Sequence, residues 1–170
     1  MKRPSLLHYG DTSASTKLSS LLLNEDKVCE ILRASPHPTV GQYLGCIVDS
    51  GSITGLCFVK YGMALPERVT KDSHPFDTDL CLRHIRKGIR DLHGLGLIHC
   101  DINPTNILIN GDTRFIVDFD SCRREGENLG FKAGIQSWTS EDFKFARREN
   151  NQYGLSKIRD FLFQVKTPKS

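Results

Sequence analysis

Apolar residues recur along this chain in two rhythms. In "DTDLCLRHIRKGIRDLHGLG", Leu82, Ile85, Ile89 and Leu92 fall at steps of three and four, so the run from Asp77 predicts an amphipathic helix ended by Gly94-Leu95-Gly96. "LSSLLLNEDKVCEILRAS" carries Leu21, Leu22, Val28, Ile31 and Leu32 at looser helical spacing. Its best amphipathic part is Glu25 to Arg33, and the prolines at 36 and 38 close it. Two other stretches read as strand pairs. "YLGCIVDSGSITGLCFVKYG" holds the apolar runs Tyr43 to Val48 and Thr54 to Tyr61 around the turn-forming "DSGS". "NILI" and "RFIVDF" flank "NGDT", where Asn-Gly is a strong hairpin signal. Between the two pairs, "MALPERVTKDSHP" reads as a polar, proline-bearing connector. Ser121 to Gln136 reads as a long surface loop, and "SEDFKFARREN" and "YGLSKIRDFLFQV" as two more helices.

The second hairpin carries the chemistry. Folding Ile107–Ile109 against Phe115–Val117 brings Asn106 beside Asp118 at one edge. An amide oxygen and a carboxylate there suit Mg²⁺, which takes hard oxygen ligands and fills its shell with water and phosphate. Asp101, on the loop entering that edge, is placed to accept a proton from a hydroxyl. Asp120 offers a further carboxylate for the metal. Any one of these is a common turn residue. His99, Asp101, Asn106 and Asp118 together, on one strand–turn–strand frame, favour a functional origin.

Composition narrows the choices. The chain has 170 residues, 38% apolar and 25% charged, enough for one domain with a core or two small lobes. A net charge of +3 is too mild to argue for nucleic acid, and Arg83 to Arg90 and Arg147-Arg148 read as solvated helix faces. The six cysteines show neither a CxxC pair nor zinc spacing, which predicts buried free thiols in a reducing compartment. "MKRPSLLHYG" has too short an apolar segment for a signal peptide, and no apolar run reaches membrane-spanning length. A soluble, cytoplasmic protein is expected.

"HCDINPTN" followed by "VDFD" resembles the catalytic loop and metal motif of the protein kinase superfamily. "EILRASPHPTVGQYLG" is similar to that family's regulatory helix and its exit, with Glu30 at the ion-pairing glutamate. "GLCFVKYG" resembles the fifth strand and hinge, "AGIQSWTSEDF" the end of an activation segment, and "NNQYGLSKIRDFL" the buried helix after it. The resemblance covers most of residues 5–165 and is closest to small fungal kinase-like chains. It implies an α+β, two-lobe fold, truncated, with a partial N-lobe over 1–58, a hinge over 59–64 and a partial C-lobe over 65–170. It implies catalytic positions at His99, Asp101 and Asn103, nucleotide positions at His8, Glu30, Lys60 and Tyr61, and metal positions at Asn106, Asp118 and Asp120. ATP and Mg²⁺ are the implied cofactors, and a protein substrate or partner kinase the implied partner.

The departures from that pattern bear on activity. No GxGxxG precedes Glu30, and His8 stands where the family keeps its strand lysine. Cys100 replaces an arginine, Asn103 replaces the lysine two residues past Asp101, and "DFD" replaces "DFG". Asn151 stands in for an anchoring aspartate, and the chain ends soon after "FLFQV". Impaired transfer to Ser or Thr is therefore expected, with self-association through Phe143, Phe145, Phe161 and Phe163. Two alternatives stand. One is a small-molecule phosphotransferase resembling aminoglycoside or choline kinases, whose loops read "HxDxxxxN" without the lysine. The other is a non-catalytic pseudokinase scaffold.

Overall fold

The computed structural model describes residues 12–72, 74–129 and 138–166. Helix α1 (Thr12–Ala34) begins well before the predicted amphipathic part. Its buried stripe is Leu22, Glu25, Cys29 and Leu32, with Val28 alongside, at the three- and four-residue steps that keep one helix face inward. That face packs on an antiparallel hairpin of β1 (Tyr43–Asp49) and β2 (Ser52–Phe58). Asp49 pairs with Ser52, and the two turn residues, Ser50 and Gly51, are both left-handed at φ 49° and 77°. This is the two-residue turn whose twist matches the strands it joins. The second strand ends at Phe58, earlier than the apolar run suggests.

β3 (Met63–Ala64) pairs with β5 (Ile107–Asn110), which pairs with β6 (Thr113–Ile116), all antiparallel. β4 (Leu97–Ile98) pairs with β7 (Arg123–Arg124). The segment before β1 is strapped to β6: Gly41 N donates to Ile116 O at 2.7 Å, and Ile116 N to Thr39 O at 3.0 Å. Helix α3 (Thr78–Gly94) starts at Asp77, whose carboxylate accepts the Leu80 N–H at 2.8 Å, and buries Leu82, Ile85, Ile89 and Leu92 as the spacing predicts. Helix α4 (Arg148–Lys166) adds Ile158 and Leu162 to the same core. Gly154 lets α4 lie directly under the loop at Ile102, because a Cβ there would sit 2.8 Å from Ile102 Cβ. The architecture is α+β.

Three local expectations need correction. The connector after β3 contains a helix, α2 (Leu65–Lys71), because Pro66 falls in its first turn, where a missing N–H costs nothing. "SEDFKFARREN" is not a helix until Arg148. Its backbone pairs instead with the 126–129 segment, through Leu129 N to Lys144 O at 3.0 Å and Ala146 N to Glu127 O at 2.7 Å. In the second hairpin Asn110 pairs with Thr113, so the two turn residues are Gly111 and Asp112 rather than Asn-Gly, with Gly111 supplying the positive φ of 56°. Of the cysteines, Cys29, Cys81, Cys100 and Cys122 are buried free thiols, whereas Cys46 is exposed. "AGIQS" lies outside the described residues. Among those described, no helix is long and apolar enough to cross a membrane.

Candidate active site

The loop after β4 is built by its own side chains. Asn103 caps a single 3₁₀ turn, Pro104–Asn106, its Oδ1 accepting from Thr105 N at 2.9 Å, Thr105 Oγ1 at 2.6 Å and Asn106 N at 3.2 Å. Its Nδ2 donates to Asp101 O at 3.3 Å. Asn106 Nδ2 then reaches the same carbonyl at 3.0 Å and Asp101 Oδ2 at 3.3 Å. Asp101 is therefore gripped by two amides, with its carboxylate held toward Asn106.

The end of β6 is bonded to this unit. Ile107 pairs with Ile116, and Val117 N donates to Asn106 O at 3.0 Å, so Asp118 follows one residue past the partner of Asn106. His99 closes the link from below. Its Nδ1 accepts the Asp101 N–H at 3.3 Å, which leaves the proton on Nε2 to donate to Val117 O at 3.0 Å. Burial lowers the His99 pKa and keeps the ring neutral. Both ring nitrogens are spent on backbone, so His99 positions the loop.

Cys100 and Asp118 are both left-handed, at φ 64° and 66°. For non-glycine residues such conformations cost on the order of 1–3 kcal/mol and persist where surrounding contacts over-determine them. At Cys100 that contact is Asn151 on α4, whose Oδ1 accepts the Cys100 N–H at 3.1 Å. The Asn151 Nδ2 meets His93 Nε2 at 3.1 Å, so the amide anchors the loop and holds His93 as an acceptor. Burial pushes the Cys100 thiol up to about 12, which makes it a packing group rather than a nucleophile.

The structure brings together His99, Asp101, Asn103, Asn106 and Asp118, with Asp120 two residues on, where its Oδ1 accepts from Ser121 Oγ at 3.0 Å. Asn103 does not reach outward as the lysine it replaces would: it is fully buried in its cap. Lys60 is exposed within the 59–64 segment, and Tyr61 is occupied structurally, stacked 4.2 Å from Phe115 with its hydroxyl accepting from Gln42 N at 2.9 Å. Glu30 has a local partner. It lies off the buried stripe of α1 and pairs with Arg33 at 2.7 Å at the helix surface. The glutamate turned toward the metal motif is Glu25, 1% exposed, accepting the Phe119 N–H at 3.3 Å, while Asn24 Nδ2 reaches Cys122 O at 3.1 Å. The signal was present in the spacing of Leu22, Glu25, Cys29 and Leu32. His8 lies outside the described residues.

The donor set fits Mg²⁺. The Asn106 amide spends its N–H groups on Asp101, and among the described residues nothing donates to its Oδ1. An amide oxygen with a nearby carboxylate is the kind of partial shell that this ion completes with water and phosphate. Among the described residues no cluster of three or more His, Cys, Asp or Glu is placed to hold a metal.

No protein-family model matches the chain. Individual proteins do. It is 32% identical over 166 residues to mitogen-activated protein kinase kinase kinase A of Dictyostelium discoideum, covering 91% of this chain and 16% of that protein. It is 36% identical over 84 residues to a 3-deoxy-D-manno-octulosonic acid kinase of Mannheimia succiniciproducens, covering 47% of this chain and 35% of that one. Among solved structures, the yeast RNA Pol II CTD kinase CTDK-1 complex matches with a TM-score of 0.69 at 16% identity, over 94% of this chain and 53% of that one. The Cydia pomonella granulovirus kinase PK-1 matches with a TM-score of 0.67 at 16% identity, over 85% and 55%. The chain is a protein-kinase-like domain. It spans 35% or less of the two curated relatives named and about half of the two kinase chains, at 53% and 55%.

Proposed function

We propose that the chain binds ATP with Mg²⁺ along the Asn106–Asp118 edge and is nominally a Ser/Thr phosphotransferase of reduced rate. One observation carries this reading. The Asn106 side chain holds both the carbonyl and the carboxylate of Asp101, while its backbone carbonyl takes the Val117 amide. Base and metal positions thereby form one bonded unit, prepared before any substrate arrives. Asp101 would accept the proton of the incoming hydroxyl. Asn106 Oδ1 and the Asp118 carboxylate would hold Mg²⁺, with Asp120 as a further carboxylate, and the ion would supply neutralising charge at the phosphates. Residues 59–64 would serve as the hinge beside the nucleotide, between one lobe up to 58 and another from 65. Glu25 would be the helix carboxylate facing the site.

The reduced rate follows from Asn103. Its cap offers no positive charge toward a transferring phosphoryl group, and a lost charge of that kind costs one to a few powers of ten. A cytoplasmic setting, reducing and supplied with ATP, suits the four buried free thiols. Thermal unfolding with and without ATP–Mg²⁺ at about millimolar concentration tests the reading. A stabilising shift that Asp118→Asn abolishes is expected, and the absence of any shift overturns both enzyme readings.

A second reading, phosphoryl transfer to a small-molecule hydroxyl, is favoured by the 36% identity to a kinase named for 3-deoxy-D-manno-octulosonic acid, together with a loop that works as a cap without lysine. Phosphate incorporation into a peptide array against a panel of small alcohols separates the two.

A further inference from the structure

A groove of about 550 Å³ lies between α3 and α4, apart from the proposed site. Its α3 wall carries Arg83, Arg86, Lys87 and Arg90, at the three- and four-residue steps that put them on one helix face. Ile89 and Leu155 give it apolar contact surface, and no carboxylate lines it. Lys87 is tied to Asp91 at 2.9 Å, but among the described residues no carboxylate pairs with Arg83, Arg86 or Arg90. His84, which also lines the groove, has its Nδ1 buried without a hydrogen-bond partner.

Three guanidiniums with no paired carboxylate repel one another along this face, and among the described residues only Arg83 has an acidic group, Asp77, near enough to help the Leu80 N–H lower that carboxyl's pKa. They suit an anionic partner. The cations extend over seven residue steps of helix, from Arg83 to Arg90, about 10 Å at the rise of an α-helix, so a single small anion cannot meet them all. Two acidic side chains on one face of an extended segment, about 7 Å apart, can. Apart from two histidines the lining holds no aromatic residue on which a base could stack, which disfavours single-stranded nucleic acid. The charges sit in a concavity between two helices, which disfavours a flat bilayer. We propose that this groove docks an acidic, partly apolar segment of a partner protein, with carboxylates on Arg83, Arg86 and Arg90 and an aliphatic side chain against Ile89 and Leu155.

The test is independent of phosphoryl transfer. Fluorescence anisotropy of a labelled peptide of alternating glutamate and leucine, titrated with the whole chain, should give saturable binding that weakens with added salt. Arg86→Glu with Arg90→Glu, both exposed positions, should weaken binding at least about tenfold by like-charge repulsion. Lys144→Glu, exposed and outside the groove, should leave it unchanged. Circular dichroism confirms that each variant is folded. Equal binding of the glutamine-for-glutamate peptide, retained affinity in the double variant, or no saturable binding overturns the proposal. Tighter binding of a DNA duplex or of phosphatidylserine vesicles overturns it in favour of those partners.

Discussion

Asn103 uses its whole side chain to hold the loop together. Its oxygen serves two backbone amides and a hydroxyl, and its amide holds Asp101. Removing it leaves several buried groups unpaired, so Asn103→Ala should cost about 1–3 kcal/mol in urea unfolding. A change under about 0.3 kcal/mol would show that the cap is dispensable. The histidines act through a different quantity. Burial is the first cause lowering the pKa of His99, His93 and His84 from 6.5. Each is held neutral in the fold, whereas the unfolded chain takes up protons near its ordinary pKa. Below that value the unfolded state binds more protons, so their contribution is complete above pH 6.5 and is lost as pH falls through the lowered values. His93 adds a geometric reason: once protonated, its Nε2 becomes a donor facing the Asn151 donor. Urea midpoints measured from about pH 7.5 to 5.5 should fall steadily, and a flat or rising profile contradicts this.

At the scale of elements, α1 determines which glutamate matters. Glu25→Ala removes a buried acceptor from the Phe119 amide and should destabilise the fold by about 1–3 kcal/mol and weaken nucleotide binding. Glu30→Ala breaks only an exposed pair with Arg33, an interaction of the kind worth under about 1 kcal/mol, and should leave nucleotide binding unchanged. Equal effects of the two on nucleotide affinity would reverse the assignment. The same helix marks where sequence reading succeeds and where it stops. Long periodic segments such as α3 were legible because many apolar positions agree on one face. The second hairpin was legible because a short turn dictates which residues meet, and this brought out the Asp101–Asn106–Asp118 edge. Glu30 was read from motif alignment, which does not record which way the helix is turned; the burial stripe does, and it carries Glu25. α2 was hidden by a proline that initiates helices as readily as it ends them. The 140–147 stretch was misjudged because its partner, residues 126–129, is distant in pattern though adjacent in space.

For the molecule as a whole, exposed large apolar side chains among the described residues fall in two groups: Leu23, Leu44 and Val48 on α1 and β1, and Phe145, Phe163 and Val165 on α4 and the segment before it. Sedimentation should detect concentration-dependent self-association that Phe163→Asp with Val165→Asp reduces, and a monomer at all concentrations would count against it. The β1–β2 hairpin and the β3–β5–β6 sheet are joined at two places. Residues 39–41 are strapped to β6 at Ile116, and the 59–64 segment is fastened to β5 where Gly62 N meets Ile109 O at 3.1 Å. A body held at two points can swing only about the line between them. A gaping of α1 and its hairpin away from residues 99–106 that kept both fastenings would then be a rotation on that axle. Such a rotation would have to stretch the bonds that α1 makes to the other side, Glu25 to Phe119 and Asn24 to Cys122, which act as the latch of a one-axis door.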